Sequence, residues 1–341
     1  MTQMYQVLRS SRSTFETVRG LRYHLREWGT PQPDRAPLWL LHGWMDVSAS
    51  WQFVVDALAH ERYCIAPDWR GFGLTRAAHL ADASPAPPPY GLTDHYLFAD
   101  YLADVDFLIG RVNQRLGRAP DAPIDLVGHS MGGNVAMLYA GVRPARVRRL
   151  VNLEGFGLPA TRPEQAPRRY AAWLDELHQL ANGELTLKTY RGLDGVAQRL
   201  MKTNRRLPDD RARWLAQHWA RPLDPQAPEG EWVILGDPAH KVRSSQLYRV
   251  DEVLAVYGNI AAPVLAVEAS DDSLAQWFPR GEHSLAEYHR RLQAVPRCRI
   301  ARVEDAGHML HHDQPQRVAA LIEAHLDAPD GGDAPLGGRG A

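Results

Sequence analysis

The sequence predicts an α/β fold, a mostly parallel sheet flanked by helices, and three observations carry that expectation. Residues 124–127 are a short, apolar, β-branched run of the kind buried in a parallel sheet, and residues 133–140 are strong helix formers with no breaker before Gly141 and Pro144. Only Gly128-His129-Ser130-Met131-Gly132 lies between them, so a strand runs straight into a helix through a sharp turn. Further buried-strand runs recur at Leu38–Leu41, 63–67, 150–153, 263–267 and Cys298–Val303, separated by stretches of helical periodicity. Between residues 158 and 252 that alternation is lost and helical stretches take over, which reads as an insertion.

Composition bounds what such a fold does. The 341 residues suffice for one large core with an inserted segment. Lys and Arg number 39 against 40 Asp and Glu, a net charge of −1, so bulk charge recruits neither nucleic acid nor a membrane surface. A small-molecule substrate fits better, and no cofactor is expected. The two cysteines, Cys64 and Cys298, sit in separate apolar runs as small hydrophobes, with neither a disulfide framework nor zinc spacing. Arg9 and Arg12 precede no apolar signal region, and no apolar run approaches the roughly 20 residues of a membrane helix. A soluble cytoplasmic protein is expected, of no assigned oligomeric state.

In chain order, residues 5–9 and 14–27 alternate polar and apolar around Arg19-Gly20 and read as antiparallel strands with a tight turn. Proline-rich residues 31–37 form a loop, the strand Leu38–Leu41 ends in His42-Gly43-Trp44, and a short helix spans residues 50–59. Asp68 and Arg70, beyond the strand at 63–67, are assigned to holding the turn, through each other or through backbone. Residues 76–93 are too rich in alanine and proline for a compact connection and read as a mobile loop at the pocket mouth. Phe98, Tyr101, Leu102, Val105, Leu108, Ile109 and Val112 then make one helical stripe, with Asp94 as its cap.

After the Ser130 helix, the strand at 150–153 delivers Glu154 to its C-terminal end, the edge where open α/β sheets build sites. Within the insertion, most aromatic side chains are expected to pack a small core of their own, and Asp237-Pro238-Ala239-His240 at its close stays unassigned. Asp271-Asp272 lie just past the strand at 263–267, and Asp305-Ala306-Gly307-His308-Met309 follows the last strand. A helix over Pro315–Leu326 closes the fold. The organisation expected is core residues 1–157, a helical lid over 158–252, core residues 253–327, and a disordered Gly/Pro/Ala tail over 328–341.

Ser130 is the candidate nucleophile. A turn this tight forces it into an unfavourable backbone conformation, for which glycines two residues before and after leave room. The following helix offers free N–H groups where an oxyanion forms. Gly43 after its strand lets backbone approach a ligand, so the N–H of Trp44 joins that of Met131 as an oxyanion donor. Serine needs an imidazole base, and among His308, His311 and His312 only His308 follows a glycine immediately past a strand. A metal reading of His308, His311, His312 and Asp313 lacks a second ligand group at sensible spacing, so no metal is expected.

With the Gly128 to Gly132 motif, the insertion and the late Gly307-His308, the chain resembles the α/β-hydrolase superfamily over nearly residues 5–327, closest to lid-bearing members related to serine hydrolase-like proteins. The resemblance implies an eight-stranded, mostly parallel sheet, the order serine, acid, histidine, and His308 as the base. It places the acid at Asp271 or Asp272, with Asp272 favoured by count from Pro263, although Ala269 stands where a glycine is usual. Haloalkane dehalogenases and some other relatives instead use a glutamate at the end of the preceding strand, the position of Glu154, so both alternatives stay open. Epoxide hydrolases and dehalogenases carry aspartate as nucleophile, whereas this chain has Ser130. Acyl transfer from a small, largely apolar ester or lactone to water is therefore the expected reaction. Carbon–carbon bond hydrolysis of a diketone and ligand binding without catalysis are the alternatives.

Overall fold

Arg19 and Gly20 take φ of 49° and 76°, the two consecutive positive values that join antiparallel strands tightly. The hairpin they close begins the fold in the computed structural model, which describes residues 4–80 and 93–329. Its strands are β1 (Ser11–Val18) and β2 (Leu21–Trp28), followed by β3 (Leu38–Leu41), α1 (Gln52–Ala57), β4 (Cys64–Pro67) and the two-residue β5 (Arg76–Ala77). Next come α2 (Phe98–Arg115), β6 (Ile124–His129), α3 (Met131–Val142) and β7 (Val147–Leu153). The inserted segment carries α4 (Ala166–Ala181), β8 (Thr189–Arg191), α5 (Gly192–Thr203), α6 (Asp209–Trp219), β9 (Ala220–Pro222) and β10 (Glu231–Ile234). The chain returns through α7 (Val250–Gly258), β11 (Val264–Ala269), α8 (Ser273–Trp277), α9 (Leu285–Leu292), β12 (Cys298–Val303), α10 (Leu310–Asp313) and α11 (Pro315–Leu326).

The main sheet runs β1-β2-β4-β3-β6-β7-β11-β12. It is antiparallel at β1, β2 and β4 and parallel from β4 onward. These are the eight strands of the mostly parallel sheet that the resemblance implies, and β5 adds a short ninth pairing with β2. Both faces are covered, as the almost wholly buried strands β3, β4, β6 and β11 require. Val105 and Leu108 of α2, Val135 and Met137 of α3, and Tyr288 of α9 pack one face. Val54 and Val55 of α1 and Val318 and Ile322 of α11 pack the other.

Several local expectations change. Residues 5–9 form no strand; Tyr5 donates its hydroxyl to Asp56 at 2.8 Å and the Arg9 N–H reaches the same carboxylate at 2.7 Å. The cap position of α2 is Leu97, because Asp94 turns aside to His95 Nδ1 at 2.7 Å. Asp68 holds its turn through backbone, one of the two alternatives expected, while it and Arg70 do not pair with each other. Asp68 binds His24 Nδ1 at 2.7 Å and the N–H groups of Ser48 and Leu74, while Arg70 grips Asp104 at 2.5 and 2.8 Å. Cys64 and Cys298 are buried and free, and burial pushes both thiols up to about 12.

The inserted segment is not purely helical, since β8, β10 and β9 form a three-stranded antiparallel sheet. It shares a third apolar cluster with the core: Leu207, ahead of α6, and Trp214, Leu215 and Trp219 of α6 pack on Val47 and Phe53. His240, unassigned from sequence, is stacked between Phe72 and Tyr96 at ring separations of 3.8 and 3.7 Å and serves packing. Most of the proline-rich loop expected over 76–93, and the tail from 330, lie outside the described residues. Among the described residues no helix is long and apolar enough to cross a membrane.

Candidate active site

Ser130 stands between β6 and α3 at φ 52°, ψ −117°, a region that non-glycine residues avoid. The flanking glycines are required by contact. A Cβ at Gly128 would lie 2.3 Å from the Gly132 carbonyl oxygen, and one at Gly132 would lie 2.2 Å from the carbonyl of Leu41. The Ser130 N–H donates to Leu153 O at 2.9 Å, and the Ser130 carbonyl accepts from Asn134 at 3.0 Å, so β7 and α3 fix the turn from both sides. The serine lines a cavity of about 460 Å³ together with His308, Trp44, Met45, His129 and Trp277.

His308, beyond β12, lines the same cavity, and its Nδ1 lies 3.2 Å from Oε2 of Glu154. Glu154 takes φ 55° at the end of β7, which turns its carboxylate under the edge of the sheet. There Oε1 accepts the Ala269 N–H at 2.7 Å and Oε2 the Ser273 hydroxyl at 2.7 Å. Burial, with Asp272 and Asp271 adding repulsion, raises this carboxyl to about 7. Burial likewise pushes the His308 imidazole down to about 3. Trp277 meets the His308 ring edge-on at 4.3 Å, and the His308 carbonyl accepts from His129 Nε2 at 2.8 Å.

Neither aspartate after β11 contacts His308. Asp272 is exposed at the N-cap of α8, its carboxylate accepting the Ala275 N–H at 2.9 Å. Asp271 is paired with Arg206 of the inserted segment at 2.7 and 3.2 Å. Of the alternatives left open by the sequence, the geometry brings only Glu154 to His308: a helix start claims Asp272, Arg206 claims Asp271, and the end of β7 presents the glutamate.

Gly43 lies against the serine, since a Cβ on it would sit 3.2 Å from Ser130 Cβ. Trp44 follows it on the cavity wall, and Met131 opens α3, where the first N–H groups have no intrahelical acceptor. His42, given no role of its own from the sequence, braces this loop. Its Nε2 accepts the Trp69 N–H at 3.0 Å, so Nδ1 carries the proton and donates to Gly43 O at 2.7 Å. Burial holds the ring neutral by lowering it to about 4.

The inserted segment completes the cavity with Leu200, Leu207, Leu215 and Trp219, and Arg199, Thr203 and Asn204 add polar groups. Asn204 Nδ2 donates to Asp313 at 2.7 Å, and the other oxygen of Asp313 accepts the Gly307 N–H at 2.9 Å beside His308. Sequence reasoning also missed a buried histidine cluster. His129 lies 4.8 Å from His308 and 4.2 Å from His311 between ring centres, and His311 lies 4.2 Å from His312. With Asp46, His129 and His311 are the group of ligand-bearing side chains close enough to share a cation among the described residues.

Residues 40–321 match the family described as "Alpha/beta hydrolase family". The chain is 25% identical to a "Serine hydrolase-like protein" of Danio rerio over 308 residues, spanning 89% of this chain and 85% of that one. It is 26% identical over 294 residues to a "Cis-3-alkyl-4-alkyloxetan-2-one decarboxylase" of Xanthomonas campestris, spanning 84% and 87%. Among solved structures it superposes on a "Thioesterase Domain From Curacin Biosynthetic Pathway" with a TM-score of 0.70 at 23% identity, over 92% of this chain and 99% of the other.

Proposed function

The chain belongs to the alpha/beta hydrolase family and is a hydrolase, and from that membership we propose that it cleaves a carboxylic ester or lactone of a small, largely apolar substrate through an acyl-enzyme on Ser130. The observation that carries this reading is the Glu154–His308 contact at 3.2 Å on the wall of the cavity that Ser130 lines. Ser130 Oγ attacks the carbonyl carbon while His308 Nε2 takes its proton. The Glu154 carboxylate holds the ring through Nδ1 and offsets the imidazolium charge, which makes Glu154, rather than Asp272, the acid. The N–H groups of Trp44 and Met131 bind the oxyanion.

Collapse of that intermediate expels the alcohol, which takes the proton from His308. Water, deprotonated by the same imidazole, then attacks the acyl carbon and restores Ser130 with release of the acid. Residues 158–252 act as the lid, and their leucines and Trp219 favour an apolar acyl chain. The oxetan-2-one in the name of the Xanthomonas relative is a four-membered lactone, which supports lactones within the class. A fluorophosphonate probe is expected to label wild type and not S130A, and S130A is expected to lose p-nitrophenyl ester turnover. A folded wild type that resists the probe would overturn the reading in favour of ligand binding without catalysis.

A further inference from the structure

Three atoms next to the cavity have hydrogen-bonding capacity that nothing among the described residues satisfies: Oδ2 of Asp46, Nδ1 of His129 and Nδ1 of His311. All three side chains are more than nine-tenths buried, and each offers a ligand atom within 4.8 Å of the other two. Burying one such group unpaired is costly, and three of them on side chains grouped this closely is a pattern that calls for a common partner.

The surroundings orient these atoms as ligands. His129 Nε2 donates to the His308 carbonyl at 2.8 Å, which fixes the proton there and leaves a bare lone pair on Nδ1. A backbone carbonyl holding the far nitrogen is the usual support of a metal-bound histidine. Asp46 is held in the same way: Oδ1 accepts the Val47 N–H at 2.9 Å and the Ser50 hydroxyl, leaving Oδ2 over. Burial keeps His129 and His311 uncharged and therefore open to a cation. Asp46 and His129 both line the cavity, which gives an ion its way in.

We propose that Asp46, His129 and His311 form a binding site for a divalent transition metal of the zinc class, and that its occupation inhibits the enzyme. Two imidazoles and one carboxylate suit Zn²⁺, Co²⁺ or Ni²⁺ and not the all-oxygen preference of Mg²⁺ or Ca²⁺. Ligand atoms around tetrahedral zinc lie about 3.3 Å apart, so binding draws the three side chains inward by about an ångström. That movement pulls on Asp46, two residues past Trp44, and on His129 beside Ser130. The inhibitory half rests on the hydrolase reading above; the binding half does not.

The test titrates the full-length, chelator-treated protein with ZnCl₂ by calorimetry and with CoCl₂ by visible absorption, alongside D46N and H311Q whose folding is checked by thermal melting. Wild type is expected to bind one ion, with a four-coordinate cobalt spectrum, and either folded variant to bind at least about tenfold more weakly. No binding by wild type at millimolar metal, or equal binding by both folded variants, would overturn the site. D46N keeps the Oδ1 acceptor, so it remains testable if H311Q does not fold. In parallel, Zn²⁺ is expected to suppress ester turnover of wild type reversibly with chelator. Metal bound at the trio with turnover unchanged would overturn the inhibition alone, and probe-inert wild type that still binds metal would separate failure of the hydrolase reading from failure of the site.

Discussion

Glu154 and His308, separated by 154 positions in the chain, meet with Oε2 3.2 Å from Nδ1. The contact depends on strand order. β7 and β11 are parallel neighbours with Leu153 opposite Val267, and the Glu154 N–H donates to Val267 O at 3.0 Å. The glutamate therefore turns out of β7 just where β11 ends, and Ala269 and Ser273 hold it facing the loop that carries His308.

E154Q is expected to lower kcat for a p-nitrophenyl ester by at least about 10²-fold, because the neutral amide cannot offset imidazolium charge. D272N is expected to stay within about twofold of wild-type turnover and, because asparagine caps a helix about as well as aspartate, to keep its stability within about 0.5 kcal/mol. Steady-state kinetics and urea unfolding of both variants distinguish the two carboxylates; a D272N enzyme as impaired as E154Q would contradict the assignment.

Activity is expected to fall on acidification with a midpoint near pH 7. His308 is already neutral there, its imidazole being held down by burial, whereas the buried Glu154 carboxyl sits at about 7 and takes up a proton below it. A kcat/KM profile shows this limb in wild type and not in E154Q.

The same shift has an opposite sign for stability. The folded-state value of Glu154 lies above its ordinary 4.5, so its contribution is fully present below that pH and is lost as pH rises through about 7. E154Q is therefore expected to gain on wild type between pH 4 and pH 8, by up to about 3 kcal/mol, in thermal melts at the two pH values.

Ser130 at φ 52° carries strain that glycine relieves. S130G is expected to be more stable than S130A by about 1 kcal/mol, with both inactive. G132A is expected to lose more than about 3 kcal/mol, since its Cβ would meet the Leu41 carbonyl at 2.2 Å. Urea denaturation measures all three.

Asn204 links the inserted segment to the His308 loop through Asp313. N204A leaves that carboxylate without its amide donor and is expected to lower kcat/KM several-fold while leaving fluorophosphonate labelling of Ser130 detectable. Labelling rates and ester kinetics measured together check it.

The parts legible in the sequence are those set by neighbours along the chain. The apolar run before Ser130, the glycines around it and the helix formers after it specify a strand, a turn and a helix by local sterics and periodicity alone. The helix Pro315–Leu326 and the hairpin turn at Arg19-Gly20 were readable for the same reason. The short strands β8 to β10 were not, because three- and four-residue strands among helices leave almost no periodic signal.

By itself, then, the sequence determined an α/β fold with a serine lifted on a tight turn and a histidine following a late strand. Only the tertiary structure decided which carboxylate faces that histidine, and that Asp46 and His129 stand beside His311. Those choices follow from which strands lie side by side and where each one ends, and from an exposed cap drawing Asp272 away while burial holds Glu154 in place.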